Sequence, residues 1–140
     1  MQTKQMHQLI EQLENYTECW KQFNHFVNIA RAKKFSAEEE SQFLEVKSVI
    51  IQQMEMILAS IEAGTPSKEE VLTLVGSAPS LRFLGEMNDS ALRNVESQWH
   101  KLYIGWHSVL GQLKVQKQVS ESKTLFQSFF EKKKKQPQPA

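Results

Sequence analysis

The residues of this 140-residue chain that could do chemistry are four histidines, His7, His25, His100 and His107, one cysteine, Cys19, and a set of glutamates. A dimetal carboxylate centre in a helical protein needs inward glutamates together with Glu-x-x-His pairs on facing helices. No Glu-x-x-His occurs. Glu96 precedes His100 by four residues and His100 precedes His107 by seven, which puts the two histidines on one helical face. The flanking positions there are tryptophan and leucine, with no second carboxylate nearby, so no metal and no cofactor is expected. Cys19 lies between Glu18 and Trp20, away from any helix N-terminus that would favour a thiolate, and reads as a small structural thiol. There is no glycine-rich phosphate loop and no nucleophile elbow. The reading is therefore of a protein that binds rather than catalyses. The alternative is a ligand- or metal-binding bundle using an interior lined by Trp20, Trp99 and Trp106 with Tyr16, Tyr103, Phe23, Phe26 and the histidines. Aromatic stripes at helical spacing are more often plain core.

The elements that would position these residues follow from glycine and proline. Helix interiors exclude proline and disfavour glycine, and neither occurs before Gly64. Residues 1 to 63 can thus be helix except where the pattern signals a break, at KKFSAEEE. There Ser36 is followed three residues later by Glu39, a capping box, and Lys33 and Lys34 complement the end of the preceding helix. Gly64 is the expected left-handed cap of the second helix, and Ser67 with Glu70 forms a second capping box. A short third helix closes at Gly76 and Pro79, a further turn covers LRFLGEM, and Asn88 or Asp89 caps a last long helix running to about Lys117. Gly105 and Gly111 sit inside that helix, each at a cost of about 1 kcal/mol relative to alanine, so a close approach or a gap beside Trp106 is expected to compensate.

Hydrophobic spacing is helical throughout. Met6, Leu9, Leu13, Tyr16, Trp20, Phe23, Val27 and Ala30 step by threes and fours, as do Leu92, Val95, Trp99, Leu102, Trp106, Val109 and Leu113. The second helix carries two stripes, Phe43, Val46, Ile50, Ile57 and Ile61 beside Leu44, Ile51 and Leu58, which predicts the central place for it and makes a homodimer possible. Residues 36–64 carry six Glu against one Lys, between mildly basic neighbours. The expected fold is all-α: an up-down-up bundle of three long antiparallel helices with a short helical insertion, equivalently a four-helix bundle with one stunted member.

The domain boundary is placed at residues 118 and 119, with 1–118 the bundle and 119–140 a flexible basic C-terminal tail. In KTLFQSFFEKKKK, Leu125, Phe126, Phe129 and Phe130 share one face of a helical turn and are followed by Lys132, Lys133, Lys134 and Lys135. These eight residues are the candidate partner-binding site. The segment resembles the box by which replication and repair proteins dock on sliding clamps. Phe129 and Phe130 match its aromatic pair, while Phe126 stands where an aliphatic is usual and Lys123 where glutamine is usual. That resemblance implies a clamp-tethered factor.

Net charge is +1 and no apolar run approaches the roughly 20 residues of a membrane span, so neither nucleic acid nor membrane is strongly signalled. One cysteine cannot form an internal disulfide, which points to a reducing, cytoplasmic setting. The function expected from these features is a non-enzymatic helical-bundle interaction module, an adaptor, accessory subunit or small chaperone-like protein, with an unidentified protein partner.

Overall fold

The computed structural model of the protein describes residues 3–61, 64 and 66–135, the last four by backbone alone. It is an all-α bundle of α1 (Thr3–Arg31), α2 (Ala37–Ser60), α3 (Lys68–Ser77), α4 (Leu81–Glu86) and α5 (Asp89–Lys135). The expected caps form. Ser36 accepts from the Glu39 amide while the Glu39 carboxylate accepts from the Ser36 amide, and Ser67 with Glu70 repeats the arrangement at α3. Asn88 Oδ1 accepts the Ala91 amide at 2.8 Å, which settles the start of α5 on Asn88. Each such cap satisfies backbone donors that the first turn leaves orphaned.

Helix directions follow from the pairs that cross between elements. Phe23 and Phe26 of α1 meet Phe43, and the Tyr16 hydroxyl donates to the Ile50 carbonyl at 3.2 Å, so α1 and α2 are antiparallel. The return leg is short. Lys68 pairs with Glu55, Lys47 donates to the Pro79 carbonyl at 3.1 Å, and Glu40 accepts the Leu81 amide at 2.8 Å, so α3 and the start of α4 run back along α2. α5 then runs against α1: Arg31 pairs with Glu96, the Trp99 indole donates to the Trp20 carbonyl at 2.8 Å, and Lys114 reaches Glu14 at 3.3 Å. The molecule is thus the bundle with one stunted member, in which α2 and α5 both oppose α1.

Three details differ from the sequence expectations. The central helix is α1, which packs against α2, α4 and α5 and buries eleven residues, against four on α2. Ile10 and Thr17 are buried on one flank of the α1 seam and Phe26 on the other, against Phe43 of α2, whereas Leu44 on the second stripe of α2 stays 46% exposed. Position explains the outcome, because α1 has a long helix on each side, α2 and α5, with α4 against it as well. Second, α2 ends at Ser60 with Ile61 as an extended cap, and Gly64 is not in a left-handed conformation. The left-handed residue that turns the chain is Lys33, φ 60°, just past α1. Third, α5 does not stop near Lys117 but continues through Ser120–Lys123 to Lys135, so the segment expected to be a loose tail is helical. No glycine or proline lies between Gly111 and Pro137 to end it.

The core is a file of aromatic rings along α1. Tyr16, Trp20, Phe23, Phe43 and Trp106 are fully buried, with Tyr16 edge-on to Trp106 at 5.2 Å and to Trp20 at 6.1 Å. Burial pushes the Tyr16 phenol well above its ordinary value, an effect only partly offset by the Trp20 indole beside it. The phenol therefore stays protonated in the folded state where the unfolded chain has begun to ionise, and stability falls as pH rises above about 10. Tyr16→Phe is expected to cost about 1 kcal/mol at pH 7 by losing the bond to Ile50. It should also lack this part of the alkaline decline, so the gap between the two proteins narrows in urea titrations at pH 7, 9 and 11. A gap that widens with pH would refute the assignment.

Candidate interaction surface

The residues with the potential for chemistry are dispersed. His7, His25, His100 and His107 are all exposed, and among the described residues no three His, Cys, Asp or Glu side chains lie close enough to hold a metal ion. His107 stands edge-on to Tyr103 at 4.5 Å, and His100 neighbours Trp99 at 6.3 Å, so each histidine leans on an aromatic ring. Cys19 is half-buried on a groove of about 460 Å³ between α1 and α2, with His25, Phe26, Glu39 and Val46 also on its walls. Desolvation and then the Glu18 charge push its thiol up, which keeps it protonated and poorly nucleophilic. The tryptophans do not line open space. Trp20 and Trp106 are packed against Tyr16 and Phe23, and Trp99 stacks on Tyr103 at 4.8 Å.

Apolar surface is concentrated instead on α5. Its first half faces the bundle with Leu92, Val95, Leu102, Trp106, Val109, Leu110 and Leu113, all buried. Lys117 donates to His7 near the start of α1 at 3.1 Å, and from Glu121 to Glu131 every side chain is exposed. The helix therefore leaves the bundle as an arm, residues 118–135, about 27 Å long at 1.5 Å per residue. Along the arm Val119 is 48% exposed, Leu125 72%, Phe126 63%, Phe129 61% and Phe130 45%. Phe126 and Phe130 meet edge-on at 4.6 Å, and Phe129 stands edge-on to Phe130 at 6.2 Å, so the rings form one cluster.

The arm's apolar stripe is not a prolongation of the buried seam. At about 100° per residue, Val115, Val119, Phe126, Phe129 and Phe130 centre on the side of α5 opposite to Trp106, Val109 and Leu113. The outward stripe also reaches back over the bundle, where Ile104 is 54% and Val115 59% exposed with Ser108 and Gly111 between them. A longer α1 would not cover it.

Of the eight candidate residues, Leu125, Phe126, Phe129 and Phe130 are thus brought together on one exposed face, while the side chains of Lys132, Lys133, Lys134 and Lys135 lie outside the described residues. Ile104, Ser108, Gly111, Val115 and Val119 were not foreseen as part of the same face. Their signal was present as steps of three and four from 104 to 129, but the stronger seam on the opposite side of the same helix masked it. No protein-family model, curated protein sequence or solved structure matches the chain, so its own geometry carries the functional reading.

Proposed function

We propose that the chain is a non-enzymatic interaction module, an adaptor or accessory subunit, that recognises a protein partner through the outward face of α5. The observation that carries this reading is the change of face: a helix whose buried stripe ends at Leu113 continues with a second apolar stripe aimed away from its own core. Uncovered aromatic rings in contiguous patches are characteristic of recognition surfaces rather than of inert ones. An amphipathic helix read at i, i+3, i+4 and i+7 is a standard ligand for an apolar groove or for another helix. No helix among the described residues is long and apolar enough to cross a membrane. A single cysteine, which cannot form an internal disulfide, favours a cytoplasmic setting.

The test compares proteins co-purified with the full chain and with its Phe126→Ala, Phe129→Ala, Phe130→Ala variant from the native source. Loss of the associated proteins from the variant is expected, whereas an unchanged set would defeat the reading. Because Phe129 and Phe130 are both exposed, a purified sliding clamp belongs in the same comparison as a defined partner.

A further inference from the structure

We propose that the outward stripe of α5 is a self-complementary seam whose occupant is the same stripe of a second copy, lying antiparallel. The proposal rests on the reading of α5 as the recognition element and names its partner. Placing the twofold axis between Val115 and Val119 makes residues whose numbers sum to about 234 face each other. Val115 then meets Val119 of the second copy, Gly111 meets Ser122, Ser108 meets Phe126 and Ile104 meets Phe129. Bulk is matched by its absence: the Phe126 ring lies over a serine, and the closest approach falls where the side chains are a hydrogen and a hydroxymethyl. All eight positions have apolar or small side chains, and all eight are exposed on the single chain, so the seam is open without refolding.

Charge and area agree with this arrangement. A parallel pair would align the lysine runs 132–135 of both copies, like charge against like. The antiparallel pair sends the two runs to opposite ends. Aromatic side chains bury about 150–250 Å² each, so six phenylalanines at 45–63% exposure would contribute roughly 500–800 Å². Ile104, Val115 and Val119 from both copies take the total past the roughly 1,000 Å² that a specific interface needs. The two bundles stand on opposite sides of the shared seam, since each faces the side of α5 away from it.

The experiment is light scattering of the full chain over a concentration series, with two variants and one cross-link. The expected mass is twice the 16.2 kDa chain, falling to one chain for Phe126→Asp and equally for Ser108→Lys, which lies 18 residues away on the exposed face and leaves the fold intact. With Cys19→Ser as background, Ser108→Cys combined with Phe126→Cys should give an oxidised dimer, because on one helix the two are about 27 Å apart and cannot bridge. Phe126→Cys alone should not cross-link. A wild-type monomer at about 100 μM, a dimer indifferent to Ser108→Lys, or cross-linking by Phe126→Cys alone would each overturn the antiparallel seam. So would a solution monomer that sediments with phosphatidylserine vesicles but not with neutral ones, which would assign the stripe to a lipid surface. A monomer from which the three-alanine variant still strips other proteins sinks the second copy alone. If those substitutions change neither mass nor co-purification, the recognition role of α5 falls with it.

Discussion

Trp106→Ala should lose about 3–5 kcal/mol of stability, the range for emptying a large buried aromatic site. Trp106 is solvent-free and sits at the α1–α5 junction with Tyr16 edge-on to it at 5.2 Å. Against a total of about 5–15 kcal/mol for a domain, that loss brings the chain close to its unfolding threshold. Trp106→Phe is expected to cost much less. The indole Nε1 of Trp106 is buried and has no hydrogen-bond acceptor among the described residues, and an unsatisfied buried donor carries a penalty of about 1–3 kcal/mol. Phenylalanine removes that donor along with the second ring, so relief of the penalty offsets part of the lost packing. Urea titration followed by circular dichroism measures both, and a phenylalanine variant as unstable as the alanine one would show that the indole N–H is not a burden.

Gly105→Ala and Gly111→Ala should move stability in opposite directions, although both replace a glycine inside α5 with the best helix former. At Gly111 nothing lies within 4 Å of where a Cβ would stand, so the gain is the full helix preference of about 1 kcal/mol. That corresponds to a rise of roughly 3–5 °C in Tm for a chain of this size. At Gly105 the added carbon would stand 2.8 Å from Pro66 Cγ and 3.3 Å from its Cδ. The proline ring has little freedom to turn aside, and overpacking of this kind costs about 1–3 kcal/mol, which exceeds the helix gain. A net loss of about 1 kcal/mol is expected. A Gly105→Ala protein melting as high as the Gly111→Ala one would show that the approach of Pro66 is not a tight one. Gly111 lies on the outward seam as well, and its substitution is best measured at low protein concentration, where self-association does not contribute.

Local physics along the chain determined a good deal of this protein. Absence of glycine and proline before Gly64 permits unbroken helix and the steps of three and four select it, and Ser36 with Glu39 and Ser67 with Glu70 mark where two helices begin because their oxygens meet orphan amides only a few residues away. The seams from Met6 to Ala30 and from Leu92 to Leu113 could be read because packing against any neighbour selects the same face. Clustering of Leu125, Phe126, Phe129 and Phe130 was legible for the same reason, since it needs no more than one helical turn.

Tertiary structure alone decided which helix sits at the centre, because that depends on which neighbours are long enough to cover a helix and not on the width of its apolar face: α1 has the long helices α2 and α5 on either side, whereas α2 has α1 and the short α3 and α4. Leu44, Ile51 and Leu58 gave α2 a second stripe, yet Leu44 stays exposed and the other two are only partly buried, while Ile10, Thr17 and Phe26 on the flanks of the α1 seam are buried. The partner of Gly105 is a proline 39 residues earlier, a meeting that no local pattern encodes. The outward stripe of α5 lies between these cases. Its residues are periodic in sequence, but only the placement of α1 against the opposite side, ending near His7 and Lys117, shows that the bundle covers one stripe and leaves the other uncovered. Periodicity marks a face as able to pack, and the fold decides whether the chain's own elements reach it.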